Sequence, residues 1–154
     1  MNPPTLAGFQ AFITSVMGID ADDLPPDSPV VAMAFNVALA IVNPLFRSVP
    51  IGSPPYSSIY NLMVYNLAAD SLVNYAQDQP GRCYFSDLQK KYNLGGFVSG
   101  VIQSANDEGT GQNMVVLAAA ENFTLSNLQS LKPPWGRQYM GMAQSFGLNT
   151  WGIT

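Results

Sequence analysis

The chain has 154 residues, of which only 10% are charged, and it contains no histidine and a single cysteine. These counts exclude a Cys/His zinc site, a Ser-His-Asp or Cys-His nucleophile and an intrachain disulfide. The net charge of −4 argues against a nucleic-acid-binding groove, because such grooves neutralise phosphates with Lys and Arg. We therefore expect one domain that is not an enzyme and holds no cofactor.

The low charge content indicates that a partner covers part of the surface, since soluble domains carry about 25% charged residues. A membrane is one candidate. The longest uncharged stretch, Ser28 to Phe46, is interrupted by two asparagines and a proline, whereas a span needs about 20 mainly apolar residues. The N-terminus lacks the pattern of a secretory signal. A protein partner is the remaining candidate, and composition does not say which.

The first third of the chain has the period of two helices. The first is predicted over Thr5 to Met17, with Gly18 at its end. The acidic, proline-containing stretch IDADDLPPDSP then forms a loop, and the second helix runs from Ser28 to about Asn43. Because this second helix is apolar all round, we expect it at the centre of the bundle or against a neighbouring subunit.

Two further helices are predicted after the proline-rich crossover VPIGSPPY. One runs from about Ser57 to Gln77, with Tyr60, Tyr65 and Tyr75 bordering its apolar stripe. A short one covers Leu88 to Tyr92 and ends at an asparagine followed by glycines.

The spacing of apolar residues no longer has the period of a helix between residues 97 and 120. Two segments with β-branched residues flank a turn-rich centre, residues 105–112, which is typical of either a long hairpin or an extended loop. Helical patterning returns after Thr124, and a last helix is predicted over Trp135 to Phe146. The hydrophobic tail from Leu148 to Thr154 is expected to dock on a partner.

The predicted fold is therefore mainly α. It is a bundle of about four to five helices with a long loop or β-hairpin arm at about 97–120, a C-terminal helix and an extended tail. Within this single domain we assign 1–94 to the helical core, 95–123 to the arm, and 124–154 to the C-terminal helix and docking tail.

The acidic residues do not have the pattern of a metal-binding loop or of a catalytic acid-base pair. Asp22, Asp23 and Asp27 lack the spacing and the closing glutamate of a calcium loop, so a solvated loop is the better interpretation. The adjacent carboxylates Asp107 and Glu108 lie at a glycine-flanked tip and should both be solvated, unlike a catalytic acid-base pair. No metal or catalytic residue is predicted.

Arg137 lies between Trp135 and Tyr139 in sequence. In a chain of net negative charge, this set is better explained as an anchor between subunits than as a base-stacking site, because Arg and aromatic residues are enriched at protein interfaces. Cys83 has no activating motif and is expected to be inert.

The order of elements resembles the head-to-tail adaptor (connector) proteins of tailed bacteriophages, which are helical subunits of a ring below the portal. Three features carry the resemblance: two N-terminal helices joined by an acidic loop, the stretch KKYNLGGFVSGVIQSANDEGTGQNM, and a C-terminal block of the form LTxxxLQxLKxPWGRxYxxxAQxxGxxxWG. In this chain the block is represented by Leu128, Leu131, Lys132, Pro134, Trp135, Gly136, Arg137, Tyr139, Ala143, Gln144, Gly147, Trp151 and Gly152.

The resemblance implies a structural subunit of the phage neck. It would form a homo-oligomeric ring, typically a dodecamer, joining the portal protein to a tail, stopper or nozzle protein. DNA would pass through the channel during genome ejection without specific binding. The protein would be made in the host cytoplasm and located in the virion, with no membrane partner.

Three groups of residues match this role. The portal or subunit interface is assigned to Trp135, Arg137, Tyr139, Leu148, Trp151 and Ile153. The loop arm is represented by Asn106, Asp107, Glu108 and Gly109. The candidates for acids facing the lumen, where they would repel phosphates, are Asp20, Asp22, Asp23, Asp107 and Glu108.

The alternative function is a small cytoplasmic helical binding protein. Its hydrophobic groove would take a ligand or a peptide and would be formed by Met33, Phe35, Met63 and Tyr65. The alternative predicts a stable monomer at micromolar concentration, whereas the adaptor predicts a subunit that is monomeric or poorly soluble by itself and forms rings on the portal.

Overall fold

The computed structural model describes residues 3–51, 58–96, 104–107, 110–113 and 129–147. These residues are mainly helical, which confirms the predicted fold class. The helices are α1 (Leu6–Phe12), α2 (Pro29–Ile41), α3 (Ile59–Tyr75), α4 (Tyr84–Lys91) and α5 (Pro134–Gly147). A π-helical turn, Ile13–Met17, continues α1, a 3-10 turn, Pro44–Ser48, follows α2, and two short strands are β1 (Ser104–Asp107) and β2 (Thr110–Asn113).

The first predicted helix is present with both of its predicted ends. The Thr5 hydroxyl accepts a hydrogen bond from the amide of Gly8 at 3.1 Å, which satisfies one of the free N–H groups of the first turn. The helix and its π-helical turn end at Gly18, whose φ of 69° lies in the left-handed region that favours glycine.

The second helix begins at Pro29, as the Ser28-Pro29 pair predicts, although the Ser28 side chain makes no capping hydrogen bond. It ends at Ile41, two residues before Asn43. Its buried face consists of Val31, Ala34, Phe35 and Ala38, and its other apolar residues are partly or largely exposed. Of the two positions predicted for α2, the centre of the bundle is therefore wrong, and contact with a neighbouring subunit stays a prediction.

The central helix is α3, in which 13 of 17 residues are buried. It makes its most extensive contacts with α2 and α5. Small residues such as Ala68 and Ala69, both fully buried, let neighbouring helices approach closely. Tyr60 and Tyr65 are also buried, so the prediction that they border the apolar stripe is wrong, whereas Tyr75 is exposed.

An aromatic cluster fixes α1 and α2 against α3. The Tyr65 ring lies 6.1 Å from Phe9, 5.9 Å from Phe12 and 6.4 Å from Phe35, centroid to centroid. Its hydroxyl accepts a hydrogen bond from the Thr5 amide at 3.2 Å. Buried aromatic pairs at such separations add packing energy to their area burial, and the hydroxyl is satisfied at the helix start.

The short helix α4 begins at Tyr84, earlier than predicted, because Asp78 supplies its N-terminal acceptor. The Asp78 carboxylate accepts hydrogen bonds from the amide of Phe85 at 2.6 Å and of Ser86 at 3.2 Å, and from the Ser86 hydroxyl. These bonds, chiefly that of the Ser86 hydroxyl, hold the pKa of Asp78 below its usual value. After α4, Asn93 adopts a φ of 51°.

The strands lie inside the segment predicted as turn-rich. Strands β1 and β2 pair antiparallel, from Ser104 opposite Asn113 to Asp107 opposite Thr110, which leaves two connecting residues. This pairing is that of a hairpin, and it places Asn106 and Asp107 within β1. The β-branched segments at 98–102 and 115–116 lie outside the described residues.

The last helix, α5, closely matches the prediction and begins with Pro134 at its first position. Four of its side chains lie partly buried against the core: Trp135, Tyr139, Met142 and Ala143. Of the predicted C-terminal segment 124–154, Thr124 and the tail from Leu148 lie outside the described residues. Within the described ranges, no helix combines the length and hydropathy needed to cross a bilayer.

Two methionines provide a matched test of this packing. Met63 of α3 is 1% exposed and Met33 of α2 is 44% exposed. Met63→Ala should lower the free energy of unfolding by about 2–5 kcal/mol, since it leaves a cavity. Met33→Ala should change it by less than about 0.5 kcal/mol. Urea unfolding followed by circular dichroism measures both, and equal losses would contradict the assignment of α3 as the central helix.

The Asp78 cap should make stability depend on pH. Because its pKa is lowered in the folded state, the stabilisation is present above the ordinary carboxyl pKa and is lost as pH falls through the folded value. Asp78→Asn should therefore lower the melting temperature at pH 7 and have a diminishing effect in acid. The matched control is Asp87→Asn on the exposed face of α4. A pH-independent effect of Asp78→Asn would argue against the cap.

Candidate functional site

The outer side of α2 presents an apolar surface to solvent. Met33, Val37 and Ile41 follow one another at spacings of four, so they lie along one side of the helix, and they are 44%, 40% and 58% exposed. We call these three residues the α2 face. No charged residue occurs between Ser28 and Phe46, so no charge on α2 itself interrupts this face. An uncharged apolar strip of this kind is suited to protein contact.

The four residues of the predicted ligand groove do not come together as a groove. Phe35, Met63 and Tyr65 are buried in the core, while Met33 belongs to the α2 face. A cavity of about 120 Å³ does lie between α1 and the acidic loop, lined in part by Gln10 and Leu24. It is smaller than the usual 300–1,000 Å³ of small-molecule sites.

The acidic loop is tied to the rest of the bundle by Arg82. The guanidinium of Arg82 contacts the carboxylates of Asp22 at 2.8 Å and Asp23 at 3.1 Å. Asp22 is largely exposed and Asp23 largely buried, so solvent screens the first pair more than the second. Two candidate lumen acids are thus paired within the chain, contrary to the expectation of a merely solvated loop. Asp20 and Asp27 are exposed.

Hydrogen bonds join residues 93–96 to residues 129–132, on either side of segment 97–128. The side-chain amide of Gln129 donates to the carbonyl of Leu94 at 2.8 Å. The ammonium of Lys132 donates to the carbonyls of Asn93 at 2.6 Å and Gly96 at 2.8 Å. We call these contacts the arm base. They hold the described residues before and after the predicted arm against each other.

The sequence Pro-Trp-Gly-Arg, residues 134–137, begins α5 and contacts the residues before it. We call these contacts the corner. The Trp135 ring packs edge-on against Tyr92 with centroids 6.2 Å apart. The Arg137 guanidinium donates to the carbonyls of Lys132 at 3.1 Å and Leu131 at 3.4 Å. Both side chains assigned to an intermolecular interface thus have contacts within the chain, although Arg137 is exposed.

The remaining assigned residues are distributed as follows. Tyr139 is half-buried on α5, and burial raises the pKa of its hydroxyl. Leu148, Trp151 and Ile153, like Glu108 and Gly109, lie outside the described residues. The carboxylates do not converge on a candidate metal position: no group of three metal-ligating side chains occurs in the described ranges.

A buried carboxylate, Asp70, lies where α3 meets the C-terminal segment. It is 5% exposed, and its Oδ2 accepts a hydrogen bond from the Ser130 hydroxyl at 3.0 Å. Its Oδ1 has no hydrogen-bond donor among the described residues. Burial raises the pKa of Asp70 from 3.8 to about 6, and the bond from Ser130 opposes this only in part. We call Asp70, Ser130 and Gly136 the Asp70 junction.

Gly136 allows this junction to close. A Cβ atom at this position would lie 2.7 Å from Oδ1 of Asp70 and still closer to the carbonyl of Ser130. Only a residue without a side chain therefore fits between the first turn of α5, the end of the preceding segment and α3.

Comparison with known proteins identifies no relative. No protein family, no curated protein and no solved structure matches the chain significantly. The function must therefore be argued from the surfaces and contacts described above.

Sequence reasoning did not identify the arm base or the Asp70 junction. One signal was available for the junction, because Asp70 is the only charged residue in the whole of α3. A single charge in an otherwise uncharged central helix is costly to bury and therefore marks a specific contact. The arm base had no such signal, because its acceptors are backbone carbonyls.

The arm base can be tested by removing one ammonium group. Lys132→Met should increase the rate of amide exchange at residues 93–96 and 129–132 by about tenfold, since charge-assisted hydrogen bonds contribute about 1.5–3 kcal/mol. The control is Lys90→Met, because the Lys90 side chain is 78% exposed and pairs with Asp87 at the surface at 3.8 Å. Hydrogen exchange with mass spectrometry reports both, and unchanged exchange in Lys132→Met would contradict the role of Lys132.

Proposed function

We propose that the protein is a structural, non-catalytic subunit of a phage neck. In this proposal it forms an adaptor ring that joins the portal to the tail and lines part of the DNA channel. The C-terminal sequence block and the order of the elements suggest the family, and the observation that carries the proposal is the exposed, uncharged α2 face.

The α2 face supports assembly because exposed apolar surface is stabilised by burial against a partner. Apolar burial contributes about 25 cal/mol per Å², and an isolated subunit would forgo this contribution for Met33, Val37 and Ile41. A ring subunit has two flanks to bury, so one flank formed by α2 fits a head-to-tail interface between different surfaces of neighbouring copies. The charge content of 10% fits the same interpretation.

The partners follow from this role. The proposed ring is a dodecamer that binds the portal on one side and a tail, stopper or nozzle protein on the other, within the neck of the virion. Exposed acids such as Asp20 suit a lumen through which DNA slides, since carboxylates repel phosphates. The predicted arm, whose flanking residues are joined at the arm base, is suited to reach a neighbouring protein.

The alternative, a monomeric binding protein with a hydrophobic groove, has less support. Three of its four groove residues fill the core, so a ligand at that position would have to displace packed aromatic rings. The assembly experiment below distinguishes this monomeric binding protein from the proposed ring subunit.

Sedimentation velocity of the full chain, alone and with the portal protein of its own virus, tests the proposal. We expect ring-sized species with the portal, and Val37→Lys/Ile41→Lys should weaken their formation by about 100-fold, since each buried aliphatic side chain contributes about 1.5–3 kcal/mol.

The matched control is Tyr75→Lys, because Tyr75 is a large exposed side chain at the end of α3, 62% exposed, and not part of the α2 face. Ring formation should survive this change. A chain that stays monomeric across micromolar concentrations and does not bind the portal would overturn the proposed function. Rings unaffected by the α2 variant would overturn the role of the α2 face alone.

A further inference from the structure

The C-terminal helix is attached to the core differently from α2. Both helices contact α3 extensively. Helix α2 contributes four fully buried apolar side chains, whereas the apolar side chains of α5 that contact the core are only partly buried. The residue of α5 that is fully buried is Gly136, at the Asp70 junction. The attachment of α5 therefore depends more on a polar contact than that of α2.

This polar contact is incompletely satisfied. One oxygen of the Asp70 carboxylate is bonded to Ser130, and the other is buried without a donor among the described residues. An unsatisfied buried polar group destabilises the state that buries it, and a charged group does so more strongly. Separation of Ser130 and Gly136 from α3 would return both oxygens to water.

No cation offsets the charge of Asp70 within the described ranges. Helices α2 and α3 carry no other charged residue. On the C-terminal side, Arg137 of α5 donates to backbone carbonyls, and Lys132 is engaged at the arm base. The charged residues of α4, Asp87, Lys90 and Lys91, are exposed, and Arg47 after α2 lies over the ring of Tyr60. The other titratable group on α5 is the hydroxyl of Tyr139. Burial raises the pKa of this hydroxyl above its ordinary value of 10, so it is neutral between pH 5 and pH 7.5.

The arm base is part of the same segment. Gln129 and Lys132, which bind the carbonyls of residues 93–96, flank Ser130 in sequence. The corner at Arg137 joins α5 to the carbonyls of Leu131 and Lys132. Movement of this segment away from Asp70 would therefore carry its side of the arm base with it.

We propose that residues 129–147 form one conformational unit that separates from α3 at the Asp70 junction and opens the arm base in the same step, while α1, α2 and α3 stay folded. The unit is a switch built into the fold: its docked state keeps the arm base closed, and its released state separates residues 93–96 from residues 129–132 and uncovers part of α3. It operates in the isolated chain and does not depend on the proposed ring.

Proton binding supports this assignment. A folded-state pKa of about 6, above the ordinary 3.8, means that the docked state binds the proton more tightly. Docking is therefore strongest below about pH 4 and weakens as the pH rises through about 6. If the carboxyl has its ordinary pKa once released, the opening equilibrium should increase by about tenfold between pH 5 and pH 7.5.

Hydrogen exchange of the full chain, corrected for the intrinsic effect of pH on exchange, tests the proposal. In the wild-type chain we expect residues 134–147 and 93–96 to open together, more often than α2 and α3. Their opening should rise by about tenfold from pH 5 to pH 7.5. Asp70→Asn, which keeps an acceptor for Ser130 but cannot ionise, should abolish that rise.

Two further variants keep the test decisive. Ser130→Ala removes the hydroxyl that donates to Asp70 and should increase the opening of residues 134–147 at pH 7.5 by about three- to tenfold. Asp27→Asn, a change in the exposed loop, should leave both the opening and its pH dependence unchanged. The proposal is overturned if α5 exchanges only together with α2 and α3, if the arm base stays closed when α5 opens, or if Asp70→Asn retains the pH dependence.

Discussion

The bundle depends on the exclusion of water from α3. With 13 of its 17 residues buried, this helix needs neighbours along almost all of its surface, and only its C-terminal end, at Tyr75, is exposed. Helices α2 and α5 provide most of that cover, and the aromatic cluster around Tyr65 brings α1 onto the same helix. Because each large apolar side chain contributes about 1.5–3 kcal/mol when it is buried, the positions of the other helices are dictated by α3.

The same enclosure gives Asp70 its properties. A carboxylate buried on this largely covered helix loses its hydration, and one hydroxyl bond does not replace it, so its pKa rises. The first turn of α5 can approach this group because Gly136 has no side chain. The result is a helix that completes the core but is held in part by an unsatisfied polar contact, in contrast to the wholly apolar attachment of α2. Local stability within one small domain is uneven for this reason.

The low charge content has two structural origins. One is α3, whose residues are withdrawn from solvent, and the other is α2, which is uncharged on its exposed side as well as its buried side. Burial within the chain accounts for the first but not for the second. The proposed assembly, in which α2 would meet another protein, would account for the second, since Met33, Val37 and Ile41 are exposed in the part of the chain that the structure describes.

The sequence by itself determined the helical class, the positions of α1, α2 and α5 to within a few residues, and the ends at Thr5, Gly18 and Pro29, because capping and backbone preferences act locally. It did not determine which apolar helix is central, since α2 and α3 both lack a clear polar side and only packing distinguishes them. Nor could it identify the acceptors at the arm base, the pairing of Arg82 with the acidic loop, or the partner of Asp70. Those contacts join residues up to 60 positions apart, so only the tertiary structure brings them together.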